Sequence, residues 1–266
     1  MTRYGATALL CLLLLAGCRP SSREGPLEVT YLANEGFMIV MGRTKVLIDP
    51  LPHSRYYANP SDSLAAQIEN GVPPFDNIDY VLVTHDHPDH FNAEMMSRFL
   101  LNHPDARFIA STETCGKLQG DRLPASQLAA VRLGRGGQQA FTGGKADITA
   151  LRLDHGGYRE ISNLAFRVAA NGYTVVHVGD ARLCDNREFL QSLEWPRSGV
   201  DLLFIEYFDD DSNTQAVLDS LIRPGYLVLM HIPPGEEDTV RHSTDKIHPR
   251  TVVFGKENET RRFDEL

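Results

Sequence analysis

The chain has 266 residues, 42% of them hydrophobic, and carries 26 basic against 35 acidic side chains for a formal charge of −9. That length and apolar content suffice for one folded domain with a substantial core. The acidic balance, with no Lys/Arg stripe and no aromatic platform, argues against nucleic acid as a partner, because such a surface repels phosphate.

In chain order the first feature is the one long apolar run, "ATALLCLLLLAGC", behind Arg3. It is short for a membrane span and has the make-up of a processing signal, with a cationic start, an apolar middle from Ala6 to Leu15 and a small-residue exit at Cys18. Leu-Ala-Gly-Cys resembles the lipobox of bacterial lipoproteins, in which the cysteine is lipidated and becomes the first mature residue. On that reading residues 1–17 are a lipoprotein signal peptide, residues 18–27 a flexible lipidated tether, and residues 28–266 the folded domain. The expected place is the cell envelope, with membrane attachment through lipid on Cys18. Arg19 behind the cysteine points to the outer membrane, facing the periplasm, in a two-membrane organism. Loss of Arg3 takes the charge to −10. Cys115 and Cys184 then face an oxidising compartment, where they either form one disulfide or remain buried thiols.

The segment 27–50 reads as strands with a Gly-containing turn at Met41 to Thr44, ending at Asp49. "DYVLVT" predicts a buried strand, "NAEMMSRFLLNH" a helix with Met95, Met96, Phe99 and Leu100 on one face, and "ARFIAS" a further strand. The glycines of "GRGGQQAFTGG" lack the strand-to-helix setting of a phosphate loop and read as turns. Then follow the strand "ADITALRL", a hairpin turning at Asn171-Gly172, the helix-like "NREFLQSL", the strand "VDLLFIEYF", and "TQAVLDSLIRPGYLVLMHI" as helix then strand. Many strands, mostly hairpin-connected, with helices between them suit two packed sheets with helices outside.

Between the strand at 80–84 and the helix that follows lies "HDHPDH", three histidines and two aspartates within six positions. Imidazoles and carboxylates suit zinc and similar divalent ions. His85 and His87 can converge on one ion, while the turn at Pro88 aims Asp89 and His90 at a second. A merely solvated polar loop would leave later strand ends unmarked, yet His155, Asp180 and His231 each close an apolar strand.

"THDHPDH" resembles the His-x-His-x-Asp-His signature of the metallo-β-lactamase-fold superfamily, with His155, Asp180 and His231 in that family's order. The resemblance implies an α/β fold, an αββα sandwich of two mixed sheets flanked by helices. It implies two divalent metal ions, zinc first with manganese or iron as alternatives. His85, His87 and His155 would hold metal 1, Asp89, His90 and His231 metal 2, and Asp180 would bridge them. Asp49 would orient ligands without binding metal. A hydroxide shared by the metals would attack an ester, lactone, amide or phosphodiester bond, with Asp89 as the catalytic residue that orients it and accepts its proton.

Departures narrow the branch. Asp180 stands where the common zinc β-lactamases use cysteine, and His87 where diiron flavoproteins use glutamate. The compact chain, "LIDP" and "HVGDAR" look more like the lactonase and N-acyl-phosphatidylethanolamine phospholipase D-like branch, with a small-molecule or lipid-like substrate. His53, Tyr56, Tyr57 and His242 are candidate substrate contacts, whereas His103, His177 and His248 read as structural or surface residues. Two alternatives share the signature: a mononuclear-iron sulfur dioxygenase, and a non-catalytic lipid-anchored metal-binding module.

Overall fold

A computed structural model of the chain describes residues 23–118, 123–156, 158, 160–196, 199–209, 212–243 and 250–263. The signal segment, Cys18 and His248 lie outside the described residues. The first half runs β1 (Leu27–Ala33), β2 (Gly36–Met41), β3 (Thr44–Ile48), α1 (Asp62–Glu69), β4 (Tyr80–Leu82), α2 (Ala93–Asn102), β5 (Arg107–Ser111), α3 (Thr112–Lys117) and β6 (Leu128–Val131). The second half runs β7 (Gln138–Phe141), β8 (Asp147–Arg152), β9 (Leu164–Ala170), β10 (Tyr173–His177), α4 (Arg187–Ser192), β11 (Val200–Glu206) and α5 (Ser212–Val217). It ends with β12 (Pro224–Met230), α6 (Glu237–Ser243), β13 (Thr251–Val253) and β14 (Thr260–Arg262).

Among the described residues the strands form two seven-stranded sheets, ordered β14-β1-β2-β3-β4-β5-β6 and β13-β12-β11-β10-β9-β8-β7. Each is antiparallel on one side and parallel on the other: β3 to β6 and β10 to β13 are parallel ladders. Crossovers therefore carry as much of the fold as the hairpins that the sequence emphasises. Between the glycines read as turns, "QQAF" forms strand β7, paired antiparallel with β8 at the sheet edge. Its flanking glycines bound a strand too short and too exposed to show a period.

Strands β3 and β4 are apolar on both faces, as parallel strands covered on both sides must be. Val46, Ile48, Tyr80 and Leu82 face the core between the sheets, while Leu47 and Val81 face a second core under the helices with Leu64, Ile68, Met96, Phe99 and Leu100. Helix α2 starts where Asn92 caps it, its side chain accepting from Met95 N at 3.0 Å. The Asn171-Gly172 turn forms as expected, both residues at positive φ. Cys115 and Cys184 are both free thiols, so the disulfide option is not taken.

Candidate metal centre

The parallel ladders bring the carboxyl ends of their strands to one edge, where open α/β sheets place ligands. Asp49 follows β3, residues 84–90 follow β4, His155 follows β8, Asp180 follows β10, Glu206 ends β11 and His231 follows β12. Three of these exits turn through left-handed backbone: Asp49 (φ 44), Gly179 (φ 58) and His231 (φ 60). Asp and His tolerate that region better than most residues. At position 179 glycine is required, because a Cβ would stand 2.3 Å from Asn163 Oδ1 and 2.9 Å from Thr84 Cβ.

All seven residues assigned to metal from the sequence come together. His85, His87, His155 and Asp180 each offer a ligand atom within 4.8 Å of the others, and Asp89, His90 and Asp180 form a second such set. Asp180 belongs to both. Its Oδ2 lies 3.2 Å from His155 Nε2 and 3.7 Å from His85 Nε2, while its Oδ1 lies 2.9 Å from His90 Nε2. His231 approaches the second set through Nε2, 3.4 Å from Asp89 Oδ2, but its Nδ1 is drawn away to Glu206 Oε1 at 2.8 Å.

Carboxylates lie behind the imidazoles. Asp49 Oδ2 accepts from His90 Nδ1 at 2.9 Å, and Asp49 is itself fixed by Thr84 through its backbone N–H (2.8 Å) and its hydroxyl (2.6 Å). This is the orienting contact expected of Asp49. Glu206 and Glu35, absent from the sequence assignment, complete the layer. Glu206 orients His231, and Glu35 lies 3.4 Å from His231 Nδ1 and 3.8 Å from His90 Nδ1.

The donor set fits a metal. His90 Nε2, His155 Nε2, His231 Nε2 and Asp180 Oδ1 are buried atoms without a hydrogen-bond partner, and their residues belong to sets whose ligand atoms lie within 4.8 Å of one another. Burial works against the His231 imidazolium, yet Asp89, Glu206, Glu35 and Asp180 push it up to about 11. Burial opposes the Asp180 carboxylate as well, but His90, His155 and His85 hold it well below the usual range. A cation binding there would displace the proton that His231 holds.

Around the mouth, His53, Tyr56 and Tyr57 line a cavity of ≈ 400 Å³ with Ser54, Arg55, Pro88 and Asp89. Tyr57 packs on His231 with ring centroids 4.2 Å apart, Phe208 lies 6.1 Å from the same ring, and Tyr158 lies 5.8 Å from His155. Tyr56, Tyr158 and Phe208 are exposed, at 84%, 59% and 49%. His242 is not brought to this mouth. It sits exposed in the last turn of α6, with Nδ1 2.5 Å from Asp238 O of its own helix. His103 and His177 are structural, as expected: His103 Nε2 donates to Ile68 O (3.1 Å) and His177 Nε2 to Glu35 O (3.0 Å).

Comparisons with known proteins agree with this geometry. The chain is 25% identical over 233 residues to the UPF0173 metal-dependent hydrolase of Heliobacterium modesticaldum, covering 85% of this chain and 81% of the relative. Its fold is similar to that of YhfI, a metallo-beta-lactamase fold protein from Bacillus subtilis (TM-score 0.60, 19% identity, 90% of this chain and 100% of that one). It is similar too to Igni18, a metallo hydrolase from Ignicoccus hospitalis (TM-score 0.59, 20% identity, 90% and 99%). The beta-lactamase superfamily domain matches residues 44–253, a span that holds every residue of the two donor sets. The chain belongs to the beta-lactamase superfamily.

Proposed function

We propose that the protein is a dinuclear-metal-dependent hydrolase that cleaves an ester, lactone, amide or phosphodiester bond. His85, His87 and His155 would hold one divalent ion and Asp89, His90 and His231 the other, with Asp180 shared between them. The reading rests on Asp180, whose two oxygens face different donor sets at 3.2 Å and 2.9 Å. Bound divalent ions would make water a nucleophile at neutral pH and polarise the scissile group. Asp89 borders the cavity. Burial opposes its ionisation, but His231 and His90 keep the carboxyl low, so it is ready to orient water and accept its proton.

A small-molecule or lipid-like substrate with an apolar arm is supported by Tyr56, which lines the cavity, and by the exposed rings of Tyr158 and Phe208 beside His155 and His231, which offer apolar surface near the centre. A panel of aryl esters and lactones of increasing acyl length tests both halves. Turnover should vanish on metal removal and return with zinc or manganese. Its kcat/KM should rise by up to about fourfold per methylene, from ~0.8 kcal/mol per buried CH₂, and Tyr56→Ser should flatten that slope. Turnover that persists in protein shown to be metal-free contradicts the metal reading. A flat acyl series contradicts the apolar arm alone.

A further inference from the structure

The loop between β3 and α1 holds its tip in one place. Asn59 closes it, accepting from Ser54 N at 2.6 Å through Oδ1 and donating to Ser54 O at 2.8 Å through Nδ2. Inside that ring Ser54 Oγ accepts from Tyr56 N and Tyr57 N, both at 3.1 Å. His53 N donates to Pro88 O at 2.6 Å, which ties the loop to the turn that carries Asp89 and His90. Tyr57 packs from the same loop on His231. The backbone is thus fixed without using the side chains of Arg55 and Tyr56, and both line the cavity that Asp89 borders.

Arg55 is exposed, and among the described residues it makes no hydrogen bond and no ion pair. In a chain with 35 acidic against 26 basic side chains, carboxylate partners are plentiful. Arg98 is held by Glu69 and Glu94, Arg135 by Asp154 and Arg261 by Glu259. Among the described residues lining the Arg55 cavity the one carboxylate is Asp89, and it is directed to His231 and His90, at 3.4 Å and 3.8 Å. A guanidinium carried on a fixed backbone, with its donors uncommitted and a metal donor set beside it, fits an oxyanion. Its planar fork takes a carboxylate or a phosphate through two parallel N–H···O bonds. A guanidinium present for solubility alone would treat anionic and neutral ligands alike.

We propose that Arg55 is a specificity-determining residue that binds an anionic group of the substrate, a carboxylate or phosphate separate from the bond that is cleaved. The proposal rests on the metal-dependent hydrolase reading above and narrows it. The substrate is an amphiphile, with its scissile group at the metals, an apolar portion against Tyr56 and an oxyanion on Arg55. Neutral esters and lactones are then poor substitutes for it. Because Arg55 is exposed, solvent and salt screen the pair, so its effect is moderate and falls as ionic strength rises.

The experiment uses alkyl hydroxamates in a series of chain lengths. The hydroxamate head chelates bound divalent metal, and the far end is a carboxylate, a phosphonate or the neutral carboxamide. Dissociation constants are measured by calorimetry on the full chain loaded with Zn²⁺, as wild type, Arg55→Gln and Arg55→Lys, each shown by its melting temperature to be folded. At low salt the best-fitting anionic probe should bind wild type roughly 5- to 20-fold more tightly than its carboxamide, the range of a partly screened, charge-assisted pair. That gap should narrow as salt is raised. Arg55→Gln should close it by weakening the anionic probe, while Arg55→Lys, which keeps the charge but not the fork, should retain part of it. The larger of the carboxylate and phosphonate gaps names the anion. Carboxylate, phosphonate and carboxamide bound alike by wild type overturn the proposal. So does a gap that survives in folded Arg55→Gln, which would put the anion on the metals. If no hydroxamate binds Zn²⁺-loaded wild type, the hydrolase reading falls and this role with it.

Discussion

His177, behind the centre, links burial to acid sensitivity. Burial pulls its imidazole down to about 4, and the ring is stacked on Phe204 at 5.5 Å. In the unfolded chain the same group titrates near ~6.5. The folded pKa is depressed, so the unfolded state binds the proton first, and the contribution is fully present above ~6.5 and lost as pH falls from there to about 4. That is about 3 kcal/mol over the window, at ~1.4 kcal/mol per unit. Denaturant melts of the metal-free protein across this range should show a shallower pH slope in His177→Gln than in wild type, and equal slopes would contradict the assignment. The residues of the clustered donor sets were legible because "HDHPDH" is dense and because His155, Asp180 and His231 each close an apolar run. Glu206 lies inside such a run, "LLFIEYF", and Glu35 lies in a turn fifty residues before His85. Neither has a spacing that announces a long-range contact. A charged residue within an apolar strand was the one available signal for Glu206.

At the scale of elements, the exits of β3, β10 and β12 decide whether the centre forms. The β10 exit depends on Gly179, which combines a left-handed φ of 58 with a Cβ approach of 2.3 Å to Asn163 Oδ1. Asn163 in turn accepts from Asp180 N at 3.3 Å and donates to Val178 O at 3.0 Å. Gly179→Ala should therefore cost about 2–4 kcal/mol, from the left-handed backbone and the overpacking together, and should displace Asp180. Gly136 is also left-handed (φ 67), but a Cβ there would meet only the Phe189 side chain, at an ordinary 3.5 Å. Gly136→Ala should cost about 1–2 kcal/mol, the backbone part alone, and urea melts of both variants check the difference. Longer elements were readable from period and caps: α2 shows its buried face at Met96, Phe99 and Leu100, with Met95 only partly covered. The missed elements have physical reasons. Strands β13 and β14 are three residues each, too short for a period, while α1 opens on a Ser61 cap (3.2 Å from Leu64 N) that sequence reading passed over.

At the scale of the whole molecule, two packed sheets with outer helices follow from alternating strands and helices, but strand order does not. Which strands adjoin is set by non-local crossovers, and here β10, β11 and β12 lie side by side although α4 and α5 separate them in sequence. That adjacency carries Asp180, Glu206 and His231 to one edge of the second sheet. The facing edge of the first sheet supplies Asp49 and residues 84–90. The centre is therefore shared between the sheets, and Asp180 is where the two donor sets meet. The most direct test is the metal content of folded wild-type, Asp180→Ala and His231→Ala protein, measured by elemental analysis. The account predicts two divalent ions per wild-type chain, loss or severe weakening of both in Asp180→Ala, and loss of one in His231→Ala. One iron per wild-type chain, or two tightly bound ions in folded Asp180→Ala, would contradict it.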